Sequence, residues 1–377
     1  MSRTDAPAAA DRTDVGCAAP AAPAGLAAAL VALRREIGAV AGVDELAARA
    51  AELPRQALDL LGDGAAAAAD VPELTQAISD LTDRVTTCAV RIVAREMGMD
   101  LGRACWLAFG SQARSEQTWL TDQDNGLVFE AASDAAAAAE RPAWMAFGQR
   151  VNEALARCGY PLCEGRVMAG QPLCCLSPDE WSRRFEHWMA HGDGNDLFAA
   201  RIYFDLRPVC GNIALARRLQ DLVRSEAAAV PRFIRQLAEV VLRRPAPLGL
   251  FGRVLTQDRG GERVFDLKLS GSALFVDAGR LWALAHRLGE VGTEGRLRAA
   301  ARALRVPAGE AAAWVAGFRT LQQLRLRAQG RRLATAQTAA RAWVPWRELD
   351  ADARQSLRGA LRAARLVQQR MTLDYCR

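Results

Sequence analysis

"LAFGSQARSEQTWLTDQDNGLVFE", residues 107–130, holds two short apolar runs, each bounded by turn residues. The first ends in Gly110-Ser111, and ten residues later Asp122 and Asp124 stand just before the second. Apolar runs of this length between turn formers predict buried strands. On a strand, residues i and i+2 project to one face about 7 Å apart, so the two carboxylates are expected side by side. Held together they raise each other's pKa unless a cation sits between them. An all-oxygen pair suits Mg²⁺ or Mn²⁺, with water and a substrate phosphate completing the shell. Gly110 lets the backbone approach a phosphate, and Ser111 adds a hydroxyl donor. A helix starting there would aim free N–H groups at the anion, with Arg114 one turn further on. The competing reading is a turn in which Gln123 and Asn125 cap the next strand.

Working outward, "ARIYFDLRPV" (200–209) reads as a third strand and offers Asp205 as a third carboxylate for a two-metal site. Asp266, in "RVFDLKLSG" (263–271), sits in a similar frame and is its competitor. Helices are expected at 135–158 and 178–190. From about residue 212 the chain is nearly all helix, with Asp277 and Thr293 as caps and amphipathic segments at 309–328 and 347–370. On the other side, residues 1–25 read as disordered, 26–62 as Ala/Leu-rich helices broken at Pro54, and 63–70 as a connection. A helix from Pro72 to a stop at Gly98 carries the seam Ile78, Leu81, Val85, Cys88 and Ile92. Packing on neighbouring helices is the common use of such a seam, and a homodimer contact is the alternative.

Composition narrows the classes. Half the residues are apolar (51%) and 24% are charged, as in ordinary globular chains. No strongly apolar run is long enough for a membrane span, and the N-terminus lacks a signal-peptide core, so a cytoplasmic protein is expected. Nine cysteines, an odd number with no CxxC pair, speak against a disulfide framework or a structural zinc site. His187 and His191 share a helical spacing without an HExxH motif, so helix-end histidines are the plainer reading. The net charge of +6 comes from arginines scattered among acids; all but one of the 49 basic residues are Arg, which fits a GC-rich genome better than a nucleic-acid surface. The exception, Lys268, marks a place where a compact ammonium could serve better than a planar fork. No GxxxxGK[ST] motif occurs, which excludes a P-loop NTPase.

The segment "FGSQARSEQTWLTDQDN" resembles the signature of the nucleotidyltransferase fold, hG[GS], about ten residues, then DhD. It is most similar to the branch of nucleotidyltransferases related to protein-PII uridylyltransferases, bacterial signal-transduction proteins often joined to CBS or cyclic-nucleotide-binding modules. The similarity continues through "GYPLCEGRVMAG", "FDLRPVCG", "FDLKLSG" and "AGRLWALAHRLG…GTEGRL". "DLRPVCG" is also similar to a stretch of glutamine-synthetase adenylyltransferases. The resemblance implies an α+β fold: a small mixed-sheet core at 101–215, a helical accessory region at 26–100 and a helical substrate-binding domain at 216–377. It implies that Gly110 and Ser111 hold the β- and γ-phosphates and that Asp122, Asp124 and Asp205 ligate Mg²⁺ or Mn²⁺. Asp205 is further implied as a candidate base, and Arg114, Arg207 and Lys268 as secondary anion contacts. The implied reaction moves NMP from an NTP to a hydroxyl on a protein, releasing pyrophosphate. A small-molecule acceptor and a non-catalytic nucleotide sensor remain alternatives, and a nucleic-acid substrate is disfavoured. Two departures bear on the substrate. Cys163-Glu164-Gly165-Arg166 stands where relatives tend to have CPGN, and Asn212 replaces an Asp. No adjacent His-Asp pair of the uridylyl-removing hydrolase occurs.

Overall fold

The computed structural model describes residues 34–53, 71–334 and 343–376. The expectations for residues 1–25, for Pro54 and for the 63–70 connection lie outside the described residues. Helix occupies 34–39 and 43–53, followed by α1 (Val71–Met97), which stops where Gly98 turns to a φ of +65°.

A four-stranded mixed sheet forms next. Strand β1 (Ala104–Phe109) pairs antiparallel with β2 (Asn125–Phe129) on one side and with β4 (Leu206–Gly211) on the other, while β3 (Cys175–Leu176) adds parallel to β2. The unbroken apolar run of β1 is explained by burial on both faces, all six residues being buried. Its alternation divides two cores. Ala104 and Trp106 join α1 and helix α3 (Asp134–Arg157), whose Phe147, Val151 and Leu155 meet Leu81, Val85, Cys88 and Ile92. The seam on α1 is thus consumed inside one chain. Cys105, Leu107 and Phe109 face the other core, where Trp181 and Phe185 of α4 (Pro178–His191) and Tyr203 crowd around Phe109.

That second core continues without a gap into the C-terminal helices. It runs through α6 (Ile213–Ala227) and α7 (Pro231–Leu242) to α8 (Ala273–Ala285), α9 (Thr293–Ala303), α10 (Ala308–Ala334) and α11 (Ala351–Tyr375). Trp282 of α8 stacks on Trp314 of α10 with ring centroids 4.7 Å apart. A small antiparallel sheet of β5 (Gln257–Arg259), β6 (Glu262–Asp266) and β7 (Trp343–Pro345) lies alongside. The α+β class is as expected. No helix among the described residues is long and apolar enough to cross a membrane.

Three local expectations differ. Residues 200–209 are not one strand: α5 (Gly194–Ala200), capped by Asp193, leads into a 3₁₀ turn at Arg201–Phe204, and only Leu206 onward pairs with β1. The apolar side chains that mimic a strand, Tyr203 and Phe204, fill the aromatic core instead. Asp277 caps nothing, because α8 begins at Ala273 and Asp277 lies inside it, bonded to Arg280. Thr293 is the first residue of α9 and follows Gly292 at the cap.

The loop 114–123 is fastened to the C-terminal helices along one face of α10. Gln322 donates to the Glu116 carbonyl, Arg325 donates to Thr118 Oγ1, and Gln329 accepts from the Leu120 N–H. Spacings of three and four residues put these three on one stripe. Glu116 also accepts from the backbone N–H and hydroxyl of Thr293. On the other flank, α3 presses against the 161–170 loop at Gly148, where a Cβ would stand 2.6 Å from the Ala169 carbonyl. Gly148→Ala is therefore expected to lower unfolding free energy by about 1–3 kcal/mol in urea titrations, since backbone on both sides must move.

Candidate active site

Strand β1 hands the chain to Gly110, whose φ is +55°. A Cβ there would lie 3.0 Å from Asp124 Oδ2 and 3.4 Å from Ile202, so glycine meets both a conformational and a spatial demand. The helix expected after it is a single turn, α2 (Gly110–Ala113), too short to act as an anion-binding dipole. Asp122 and Asp124 sit in the extended lead into β2 rather than on the strand. The lead is still held as sheet, because the Phe109 N–H donates to the Asp124 carbonyl at 2.9 Å.

Alternation sorts this segment. Gln123 and Asn125 turn into the interior, where Asn152 of α3 donates to Gln123 Oε1 and to Asn125 Oδ1, each at 2.9 Å. Gln123 donates to the carbonyls of Asn152 and Tyr160, and Asn125 Oδ1 accepts from the Ala169 N–H. This buried amide network fixes the backbone from behind, so the flanking amides and the carboxylates are two halves of one device.

The carboxylates share a cavity of about 480 Å³, within the range of small-molecule sites. It is lined by Gly110, Ser111, Arg114, Asp122, Asp124, Cys163, Lys268 and Arg325, among others. Ligand atoms of Asp122, Asp124 and Cys163 all lie within 4.8 Å of one another. Burial first, and the charge of Asp122 second, push Asp124 up to about 6. Lys268 opposes this, its Nζ 3.8 Å from Asp122 Oδ1. Two crowded carboxylates with one neighbouring ammonium leave room for a divalent cation, and the donor set fits one. Cys163 is raised to about 11, by burial and then by Asp124, so it stays a thiol. It donates to Asp124 Oδ1 at 3.3 Å, a better role toward a hard ion than ligation by sulfur.

Asp205 is not brought to this pair. It lies in the turn before β4, fully buried, and its oxygens accept from three guanidiniums. Arg114 reaches Oδ2 at 2.5 Å, Arg280 spans both oxygens at 3.1 and 2.6 Å, and Arg296 reaches Oδ1 at 2.5 Å. Burial pulls its pKa upward, but Arg280, Arg296 and Arg114 outweigh this and hold the carboxyl well below the usual range. Both of its oxygens are engaged by guanidiniums, and the structure does not bring it together with Asp122 and Asp124 as the metal and base roles expected of it would require. Its competitor Asp266 is also absent from the pair: Oδ1 accepts from the Lys268 and Leu269 N–H groups and shapes the turn that carries Lys268.

The remaining expectations divide. Ser111 and Lys268 line the cavity. Arg114 does as well, but its guanidinium is already paired with Asp205 and Glu116. Arg207 is not part of the cavity wall. It bonds Asp83 of α1 and the carbonyls of Gln112 and Ala113, and so braces the Gly110–Ala113 turn. Arg280, Arg296, Arg325 and Asn152 were not foreseen. The first two sit in "AGRLW" and "TEGRL", stretches whose likeness to relatives was visible without a role for the arginine. His187 and His191 face each other on α4 and, among the described residues, belong to no three-ligand group. The eight described cysteines are free thiols.

Residues 52–195 match the family described as "Putative nucleotidyltransferase DUF294", and residues 231–375 match the "Putative nucleotidyltransferase substrate binding domain". The two matches lie in succession and together take in most of the chain from residue 52 onward. No curated protein matches it. In the DUF294 frame, the Gly110 turn and both carboxylates fall in the nucleotidyltransferase match, while Lys268, Arg280, Arg296 and Arg325 fall in the substrate-binding match.

The two aspartates should respond to mutation in opposite directions. Asp124 has a folded pKa above its unfolded one, so it stabilises only when protonated and that contribution is lost as pH rises through about 6. Asp124→Asn should raise stability above pH 6 by on the order of 2 kcal/mol, with no gain at pH 4, measured by denaturant titration at both pH values. Asp205 is depressed, and its contribution is present at neutral pH and lost on acidification. Asp205→Asn should lower neutral-pH stability by about 3–5 kcal/mol, the cost of stranding buried arginines. A neutral or stabilised Asp205→Asn protein would return it to the ligand role.

Proposed function

We propose that the protein transfers a nucleoside monophosphate from an NTP to a hydroxyl group, and that the hydroxyl belongs to a protein, as in the protein-PII uridylyltransferases its sequence resembles. The observation that carries this is the convergence, in one cavity, of the Asp122–Asp124 pair, the Gly110-Ser111 turn and cationic side chains from the C-terminal helices. In this reaction the acceptor oxygen bonds to the α-phosphorus, the bond to the bridging oxygen of the β-phosphate breaks, pyrophosphate leaves, and the hydroxyl proton passes to solvent. A Mg²⁺ or Mn²⁺ ion held by Asp122 and Asp124 would neutralise phosphate charge as it shifts. The bare Gly110 turn admits the phosphates, Ser111 offers a donor, and Lys268 adds positive charge. Asp205 serves indirectly, by fixing the Arg114 and Arg280 walls. Catalysis would come mainly from positioning and electrostatics.

A second reading, a non-catalytic nucleotide-binding module, is favoured by one feature: of the three aspartates expected to hold a metal, only Asp122 and Asp124 line the cavity, Asp205 being enclosed by arginines. One experiment separates the two. Protein is incubated with each labelled NTP and Mg²⁺ or Mn²⁺, with and without cell lysate, while pyrophosphate is measured. Transfer predicts pyrophosphate release and label on a protein, with Asp122→Asn/Asp124→Asn reducing both by at least about a hundredfold. Label on a small metabolite would move the acceptor to that class. Metal-dependent NTP binding without pyrophosphate would establish the sensor.

A further inference from the structure

Five cations line the cavity: Arg114, Arg201, Lys268, Arg280 and Arg325. Most are answered by acids. Arg114 bonds Asp205 and Glu116, Arg280 bonds Asp205 and Asp277, and Arg201 lies 3.7 Å from Asp277 while stacking on Phe198. Lys268 stands beside Asp122. Arg325 differs. Its bonds go to neutral groups, Gln322 Oε1 at 2.7 Å and Thr118 Oγ1 at 3.3 Å. No carboxylate of a described residue lies within ion-pair distance of it. Burial, followed by repulsion from Arg114, lowers its pKa to about 10.

A guanidinium withdrawn from water without a counter-charge is costly, and the cost is relieved when a ligand supplies the anion. Gln322 and Thr118 fix its orientation without neutralising it, and Gln322 is itself anchored on the Glu116 carbonyl. The position is therefore built: a cation held on α10 that lines the same cavity as the Gly110-Ser111 turn, within the electrostatic reach of Asp266, Glu116 and Asp122 but paired with none of them. Arg280 has the same charge and more burial, but two carboxylates already satisfy it.

We propose that Arg325 binds the β- and γ-phosphates of a nucleoside triphosphate, so that the C-terminal domain supplies the counter-charge for the pyrophosphate leaving group. This rests on the nucleotidyltransferase reading and assigns to the domain named for substrate binding a part in holding the nucleotide. Lys268, from the same domain, is its partner on the Asp122 side.

The test measures binding of NTP, NMP and inorganic pyrophosphate, each with Mg²⁺, to wild type, Arg325→Gln and Arg325→Lys by titration calorimetry. Arg325→Gln should weaken NTP and pyrophosphate binding about 10- to 100-fold while changing NMP binding less than about twofold. Arg325→Lys should restore part of the loss. Without ligand, the Gln variant should melt no lower than wild type, since an unanswered buried charge has been removed, and this separates a binding role from a structural one. Equal weakening of NTP and NMP, or none, overturns the proposal. Wild type that binds neither NTP nor pyrophosphate overturns the nucleotide reading itself, a different and recognisable failure.

Discussion

The carboxylate of Asp205 and its three arginines are the contact on which the architecture turns. Arg114 leaves the Gly110–Ala113 turn, Arg280 comes from the middle of α8 and Arg296 from α9, so one buried group joins the sheet to two C-terminal helices. Glu116 and Asp277 extend the cluster through Arg114 and Arg280, and Arg201 lies 3.7 Å from Asp277, giving three acids among four arginines. A lone carboxylate among three guanidiniums would be unstable from its cations' side. The two outer acids offset most of the positive charge that the arginines bring into the interior. The position of the cavity follows, because Arg114 and Arg280 form part of its wall.

Beside this closed network lies an open one. Asp122 and Asp124 repel each other, and among the described residues Arg325 forms no ion pair. The molecule thus contains a satisfied ionic cluster and an unsatisfied one in adjacent space, and only the second is shaped for a ligand. Strain of this kind is characteristic of sites, where stability is given up for readiness.

Much of this was legible in the chain. The apolar runs of β1 and β2, the Gly110 turn and the paired acids could be read from spacing, because strand alternation and glycine's freedom are local rules. Residues 200–209 misled because Tyr203 and Phe204 are apolar for the sake of a tertiary aromatic cluster, and composition does not distinguish that from a strand. Asp205 was drawn to the metal by its motif. Its actual partners lie 75 and 91 residues away, beyond any local pattern. Arg325 was hidden for another reason. In a chain whose cations are almost all arginine, nothing in sequence marks the one that lines the cavity without an ion-paired acid. The lone lysine did stand out, and it does line the cavity.

The distances along the chain between Asp205 and its partners also bear on how the molecule is made. During synthesis from the N-terminus, the sheet and Asp205 emerge well before Arg280 and Arg296. Until those helices arrive, the nascent protein holds an acid with one cation, and it has no α10 to fasten the 114–123 loop. Closure of the core then waits on long-range contacts, which form late and slowly. The carboxylate pair and Arg325 come together only once nearly the whole chain is available, so no shorter nascent chain carries the finished cavity.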